Sequence, residues 1–280
     1  MTKSHMLAVA VLCASPMLSA QADTSTILST NNQIGIQYTS TKVDYTETGS
    51  ALLGTPTGTL DTENGTISGY AVNLSTMQDW WLGNDYLSLN YSHSNGDTSY
   101  VGQPIAGTTN AYGSLSGSDG ATLEDLSLRW GKGFSLSQNS MLTPYFELGY
   151  HSWDRGVNAG ETYRNRYYGL GALAQYAPTH NLTLTANGLV GGTFGANITV
   201  APDGGYSGFS GSLGTSTLWR IGGSVDYAFT THLHGNLGVD YTSFKYGASS
   251  LFDVGGGYVA WEPDSTTHYT VARVGLGYSF

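Results

Sequence analysis

The chain has 280 residues, of which only 11% are charged, while 39 are glycine and 20 are tyrosine. Its formal net charge is −10, which excludes a nucleic-acid surface, because phosphate binding depends on clustered lysine and arginine. Its mean hydropathy of −0.16 is too low for a bundle of membrane helices.

The first 22 residues have the organisation of an export signal. Lys3 precedes an apolar stretch from Met6 to Ala14, and Ala20-Gln21-Ala22 forms a small-x-small cleavage site. We therefore expect a signal peptide over residues 1–22 and a mature chain, 23–280, that begins at Asp23. The one cysteine, Cys13, lies in the signal, so the mature chain offers no disulfide, thiolate metal site or cysteine nucleophile.

The mature chain contains no apolar run of the eighteen residues that a membrane helix needs. If it crosses a membrane, it crosses as a closed β-barrel. Alternation of apolar and polar residues predicts an all-β fold, an antiparallel up-and-down barrel of ten strands, with eight or twelve as alternatives. The residues predicted to face lipid are, in chain order, Ile34, Ile36, Tyr38; Tyr70, Val72, Leu74; Leu87, Leu89, Tyr91; Leu126, Leu128, Trp130; Leu142, Phe146, Leu148, Tyr150; Tyr168, Leu170, Ala172, Ala174, Tyr176; Leu182, Leu184, Ala186, Val190; Trp219, Ile221, Val225, Tyr227, Phe229; Leu233, Leu237, Val239, Tyr241; and Thr270, Ala272, Val274, Leu276, Tyr278, Phe280.

The predicted connections alternate in length, as the periplasmic turns and extracellular loops of outer-membrane barrels do. The short ones fall near residues 78–84, 134–140, 177–181 and 229–233. The long ones fall near 47–65, 97–121, 154–162, 198–214 and 247–266. Both chain termini are then expected in the periplasm.

Aromatic residues are expected to form a girdle at each membrane interface, which a soluble β-sandwich would not need. Those predicted near the periplasmic turns are Trp80, Trp81, Trp130, Tyr176, Phe229, Tyr278 and Phe280. Those predicted near the extracellular loops are Tyr91, Tyr100, Trp153, Tyr163, Tyr168 and Tyr246.

The last strand ends in Val274, Leu276, Tyr278 and the terminal Phe280 at alternate positions. This ending resembles the C-terminal insertion signal of Gram-negative outer-membrane β-barrel proteins. The resemblance implies location in the outer membrane, contact with its lipid and lipopolysaccharide, and recognition by the barrel assembly machinery. More loosely, Asp61–Gly65 and Asn95–Gly102 resemble strand and loop edges of porin-like outer-membrane proteins.

A small set of charged residues is predicted to face the lumen and to form an ionic network at matching heights on adjacent strands. We expect Arg129 to pair with Glu147, Arg273 with Asp240, and Arg220 with Asp226. Such a network either holds a narrow lumen shut or lines a selective pore. Ten strands enclose little more space than eight, whose interior is filled by side chains, so a largely filled lumen is favoured.

The sequence offers little for catalysis, and we expect no enzyme. Ten-stranded barrels include the omptin surface proteases, whose Asp-x-His motif is absent here, although His151 and Asp154 lie at rim height on one strand. The barrel lipid A deacylases use a His-x-Ser motif, whereas His93 is followed directly by Ser94, which would point to the opposite face. His232 and His234 share a strand but have no evident third ligand, so neither a metal nor a cofactor is expected.

The loops are poor in charge and rich in Gly, Ser, Thr and Tyr, a composition of adaptable recognition surfaces. Their candidate contact residues are Tyr100, Tyr112, Tyr206, Phe209, Phe252, Tyr258 and Trp261. The sequence therefore favours a structural or adhesin-like surface protein that contacts an extracellular ligand or host surface. A narrow porin-like channel ranks second, and an outer-membrane hydrolase third.

Overall fold

A computed structural model describes residues 24–49, 57–103 and 112–280; the predicted signal peptide lies outside these ranges. Within them the chain forms one α-helix, α1 (Thr24–Asn31), and fourteen strands. The strands are β1 (Gln33–Gly49), β2 (Gly58–Gln78), β3 (Asp85–Gly102), β4 (Leu115–Lys132), β5 (Phe134–Ser137), β6 (Ser140–Arg155), β7 (Glu161–Thr179), β8 (Leu182–Val200), β9 (Phe209–Ser212), β10 (Thr217–Ala228), β11 (Leu233–Tyr246), β12 (Phe252–Gly255), β13 (Tyr258–Ala260) and β14 (Asp264–Ser279).

Ten strands form a closed antiparallel up-and-down barrel, as the alternation predicts. Their order around the barrel is β1, β2, β3, β4, β6, β7, β8, β10, β11 and β14. The barrel closes where β14 pairs with β1, with Gln33 opposite Ser279 and Tyr38 opposite Val274. Of the remaining strands, β5 and β9 extend the edges of β6 and β8, and β12 pairs with β13. No α-helix in the described ranges is long and apolar enough to cross a membrane.

The outer wall is apolar in the half of the barrel that contains the short turns. Leu170, Val190 and Leu237 expose 72%, 65% and 60% of their surface there. A band of such residues all round a closed sheet is stable in lipid, where every backbone polar group is bonded within the barrel. The predicted assignment of these alternate residues to the outer face is confirmed.

The strands continue well beyond the apolar band, and this corrects the predicted loop limits. β1 runs to Gly49 and β2 starts at Gly58, so much of the predicted loop at 47–65 is strand. The same holds at 97–121, where β3 continues to Gly102 and β4 begins at Leu115, whereas the barrel strands take only two or three residues at the ends of 154–162, 198–214 and 247–266. Polar, glycine-rich strands look like loops in a sequence because their outer face is in water and carries no apolar signal.

The longer strands also correct the upper aromatic girdle. Trp153, Tyr163 and Tyr246 were predicted to lie in it, but they point into the barrel and are buried, and Tyr100 is half-buried. The period of two explains the error, because odd-numbered residues of β6 and β7 face inward at every height. The aromatic residues that end the apolar band on the outer wall are Tyr38, Tyr70, Tyr91, Tyr150, Tyr168, Trp219 and Tyr241.

We expect Leu237→Arg to destabilise the barrel by about 2 to 4 kcal/mol, because Leu237 lies midway along the lipid-facing part of β11. Asn64→Arg is the matched control: Asn64 is exposed on β2 above the girdle, and this substitution should change stability by less than about 0.5 kcal/mol. Urea unfolding of the protein refolded into phospholipid bilayers measures both. Equal losses in the two variants would contradict the position assigned to the membrane.

Candidate functional site

The candidate site is the lumen, and helix α1 lies at its short-turn end. The short-turn end is called periplasmic and the long-loop end extracellular from here on, after the orientation that the loop lengths predict. α1 leads directly into β1 and lies inside the mouth of the barrel, with Ile27 fully buried. Asn31 and Gln175 on β7 exchange two side-chain hydrogen bonds of 2.9 Å. Thr26 Oγ1 donates to the carbonyl of His180 in a periplasmic turn at 3.1 Å. Hydroxyl and amide groups therefore hold α1 in place.

A second set of contacts fixes α1 through β10 and β11. His234 Nδ1 lies 2.6 Å from Asp226 Oδ1, and its Nε2 lies 3.2 Å from Ser29 Oγ on α1. Thr30 Oγ1 donates to the same Asp226 oxygen at 3.2 Å. His232 instead lies in the turn and stacks on Tyr278, so the two histidines do not share a face.

At mid-height, Glu147 on β6 brings two arginines together. Its Oε2 accepts from Arg129 Nε at 2.6 Å and its Oε1 from Arg220 Nη1 at 2.8 Å. Tyr167 OH donates to Oε1 at 2.9 Å, and Gly149 leaves room for that ring, since a Cβ there would lie 2.1 Å from it. Glu147 is fully buried, so two positive charges and a hydroxyl compensate its desolvation.

The structure brings together two of the three predicted ion pairs. Arg129 lies directly opposite Glu147, and Arg273 forms a salt bridge with Asp240 on β11. The third prediction is wrong: Arg220 contacts Glu147, whereas Asp226 contacts His234. Six residues separate Arg220 from Asp226 along β10, a distance of about 20 Å in an extended strand, so they lie at different heights.

A polar cavity of about 290 Å³ surrounds these groups, so the lumen is less completely filled than predicted. Amide and hydroxyl side chains from every barrel strand except β6 supply most of its polar wall. His151 also lines it, with Nδ1 2.8 Å from Asp125 Oδ1 and Nε2 3.3 Å from Tyr269 OH. Asp154, which the sequence placed with His151, points outward and accepts from Thr162. The rim pair suggested by the sequence is therefore absent.

Arg155 lies across the lumen on the extracellular side of the cavity. Its Nε donates to Glu63 at 2.6 Å and its Nη1 to Glu161 at 3.1 Å. Its guanidinium carbon lies 4.6 Å from the ring centre of Tyr45 and 4.9 Å from that of Trp153. Ionic and cation–π contacts thus fix one buried cation across the lumen.

Carboxyl groups outnumber positive charges around Arg155. Glu47, Asp61, Asp119 and Glu262 are buried with Glu63 and Glu161, and Tyr45 and Tyr163 donate hydrogen bonds to Glu262. We call these six acids, Arg155 and the aromatic rings of Tyr45, Trp153 and Tyr163 the Arg155 layer. The Arg155 layer was not predicted from the sequence, because Arg155 and Glu161 fall within a predicted loop. The strand period nevertheless continues from Trp153 to Arg155 on β6 and from Glu161 to Tyr163 on β7.

The Arg155 layer lies above the girdle, and burial keeps part of its acids protonated. Burial, followed by the charge of Glu161, raises the pKa of Glu262 to about 8. Burial and the neighbouring Glu63 raise the pKa of Asp119 to about 6. Burial and the charge of Glu262 also raise the pKa of Glu47. Protons therefore offset part of the excess negative charge.

Two extracellular loops contact each other above the Arg155 layer. The carbonyl of Val254 in β12 accepts from the amide of Ser207 at 2.8 Å. The rings of Phe209 and Phe252 stack with centroids 5.0 Å apart, and Tyr206 meets Tyr258 edge to face at 5.4 Å. We call residues 201–212 and 247–263 the tip.

The predicted loop contacts differ in exposure. Tyr112, Tyr206 and Tyr258 expose 45%, 39% and 56% of their surface. Tyr100, Phe209, Phe252 and Trp261 are partly buried, the two phenylalanines because they stack on each other. In the described ranges, no group of three or more His, Cys, Asp or Glu residues is arranged to hold a metal.

Comparison with known proteins shows the fold. The outer membrane protease OmpT from Escherichia coli superposes with a TM-score of 0.58 and 13% identity, over 89% of this chain and 95% of that one. This chain has the fold of a Gram-negative outer-membrane β-barrel. The translocator domain of the autotransporter NalP from Neisseria meningitidis is also similar, at 15% identity over 91% of each chain, with a TM-score of 0.39. No protein-family model and no curated protein matches the sequence.

We expect barrel stability to fall as pH rises from about 5 to 8, because folded Glu262 keeps a proton that the unfolded chain has lost. Each retained proton contributes a slope of about 1.4 kcal/mol per pH unit. Glu262→Gln, which cannot ionise, should remove the share of Glu262 from this slope and leave the shares of Asp119 and Glu47. Asp97→Asn, at an exposed position on β3, is the control and should leave the slope unchanged. Urea unfolding at several pH values gives both slopes. A slope in Glu262→Gln as steep as that of the wild type would show that Glu262 does not contribute to it.

Proposed function

We propose that this outer-membrane barrel is an adhesin-like surface protein whose loops bind an extracellular partner. The observation that carries the proposal is the tip, where two loops form one structured, aromatic surface. Tyr206 and Tyr258 are exposed there, and Leu251 and Val259 beside them expose 55% and 58% of their surface. Exposed apolar side chains grouped in this way are typical of interaction sites.

The tip is rigid for a loop region, which favours binding because little conformational entropy is lost. Ser249 and Glu262 exchange hydrogen bonds of 2.8 Å at its base, from the amide of each to an oxygen of the other. Glu262 in turn accepts from Tyr163 in the Arg155 layer. The tip is thereby connected to the barrel, and Tyr and Phe supply its contact area with few rotatable bonds.

The closed lumen supports a surface role over transport or catalysis. α1 fills the periplasmic mouth and the Arg155 layer fills the extracellular end, so the polar cavity between them has no wide opening for a large substrate. His151 is buried below the layer, and its partner Asp125 is partly exposed in the cavity wall. We accordingly propose a protein without enzymatic activity.

Export and orientation complete the proposal. We propose that residues 1–22 are cleaved, that the assembly machinery inserts the barrel through its C-terminal strand, and that both termini face the periplasm. The apolar band at the short-turn end and the protruding polar strands at the other end support this orientation. Phe280, at the short-turn end, donates its amide to the carbonyl of Asn32 at 3.2 Å.

We expect Tyr206→Ala combined with Tyr258→Ala to reduce adhesion at least tenfold, because aromatic residues dominate binding at such surfaces. The measurement uses a non-adherent host strain that displays the protein, applied to epithelial monolayers and to arrays of matrix proteins and glycans. Tyr112→Ala is the matched control, since Tyr112 is equally exposed but pairs with Thr62, away from the tip. Wild-type cells that adhere no better than the host strain would refute an adhesin.

A narrow channel is the second candidate, and the polar cavity is the observation that favours it. Its wall of amides and hydroxyls could carry water and small solutes if either closure opened. α1 is held less firmly, because most of its contacts are hydrogen bonds of uncharged hydroxyl and amide groups. Arg155 is held by charge-assisted hydrogen bonds and by aromatic rings.

We expect the wild-type protein to be silent in single-channel recordings in planar bilayers, because both ends are closed. Arg129→Ala removes one of the two arginines that pair with Glu147, and Glu147→Ala leaves both arginines without their shared carboxylate, so each variant weakens the packing at mid-height. Conductance that appears only in these variants would be consistent with a closed barrel. Steady wild-type conductance that shifts in both variants would replace the surface-protein proposal with a narrow pore.

A further inference from the structure

The arginine and lysine residues of the described chain are sorted by position. Four arginines lie inside the barrel, each paired with a carboxylate: Arg129, Arg155, Arg220 and Arg273. Lys132 caps a periplasmic turn, donating to Gly83. The other four are exposed on the outer wall and form no salt bridge within the described ranges: Lys42, Arg164, Arg166 and Lys245. The described loops beyond the strands contain no lysine or arginine.

The four outer residues lie on the extracellular side of the aromatic girdle. Arg166 and Arg164 follow Tyr168 on the outer face of β7 toward the extracellular end, at consecutive outward positions. Lys42 lies beyond Tyr38 on β1, and Lys245 beyond Tyr241 on β11. Because interfacial aromatic residues mark the boundary between lipid chains and headgroups, these charges are at headgroup height.

Arg164 and Arg166 are adjacent like charges, and the residues directly opposite them carry no charge. The outward carboxylate of Asp154 lies diagonal to Arg164, accepts a hydrogen bond from Thr162 and forms no salt bridge with either arginine. The two arginines lie about 7 Å apart on one face of the strand. On β6 they face Ser152 and Tyr150, and on β8 they face Asn197 and Phe194. Two unpaired guanidinium groups repel each other, so an external anion between them would stabilise both.

The backbone beside this pair is shaped to leave space. The pairing of β7 with β8 shifts register between Arg164 and Arg166, and Gly195 has a φ of +59° at this β-bulge. Arg166 Nη1 lies 3.5 Å from the position that a Cβ on Gly195 would occupy. Bulges of this kind redirect side chains. The rings of Tyr168 and Phe194 lie 6.1 Å apart on the outer face, with Phe194 directly opposite Arg166 and Tyr168 one outward position below it, at the end of the apolar band.

We infer that Arg164 and Arg166 bind a phosphate group of the phosphorylated glycolipid in the outer leaflet. Guanidinium groups bind phosphate in a bidentate manner, and the rings of Tyr168 and Phe194 contact the acyl chains below it. The inference also accounts for the charge pattern, because a chain of net charge −10 needs positive residues where it meets an anionic leaflet.

The test compares binding of bisphosphorylated lipid A with that of its dephosphorylated form to the refolded protein in neutral detergent, by native mass spectrometry. We expect Arg164→Gln combined with Arg166→Gln to weaken binding of the phosphorylated lipid at least tenfold and to leave the dephosphorylated lipid unaffected. Lys42→Gln combined with Lys245→Gln is the charge-matched control and should lose much less. Heat-modifiable migration on gels confirms that each variant is folded.

Arg164→Lys combined with Arg166→Lys should bind with intermediate affinity, since charge remains but bidentate geometry is lost. Equal loss in the two glutamine variants would show a non-specific basic belt and overturn the site. Competition by millimolar inorganic phosphate, or equal binding of dephosphorylated lipid, would overturn the glycolipid as its occupant. None of these outcomes depends on adhesion or conductance, so the experiment tests the inference independently of the proposed function.

Discussion

Closure of β14 on β1 is the constraint on which the rest of this structure depends. In lipid, an unpaired backbone amide or carbonyl has no water to bond with, so a sheet can cross only if it has no edge. Pairing from Gln33 with Ser279 to Thr48 with Asp264 removes both edges over the full height of the barrel. Every residue then has a fixed side, outward to lipid or inward to the lumen, and the alternation of the sequence follows from that.

On the inward side, buried charges must be compensated. Different groups compensate them at three heights of the lumen. At the base, hydrogen bonds of hydroxyl and amide groups hold α1. At mid-height, two arginines compensate the charge of Glu147. At the top, Arg155 and bound protons together compensate the charge of six acids. Polar groups of the wall hold both α1 and the Arg155 layer in place, and no separate plug domain occurs among the described residues.

The outward side shows a corresponding order. Apolar residues occupy the membrane band, aromatic residues end it, basic residues follow, and the aromatic tip projects beyond them. Positive charge is arranged by height: the arginines inside the barrel are each paired with a carboxylate, and four unpaired basic residues lie beyond the girdle on the outer wall, whereas the tip is acidic through Asp203 and Asp253. The proposed surface role and the proposed glycolipid contact concern different heights of this wall.

The sequence by itself predicted ten strands, with eight or twelve left open, and determined the faces of the strands and the pairing of Arg129 with Glu147, because a period of two and antiparallel register are local rules. It did not determine where the strands end: beyond the membrane the outer face is polar, so Trp153, Tyr163 and Tyr246 were assigned to a girdle. Nor did it reveal α1, whose segment Thr24–Asn31 carries no helical apolar stripe. Only the closed barrel decided these, since the contacts of Thr30 with Asp226 and of Arg155 with Glu63 join segments distant in the chain that meet only in the lumen.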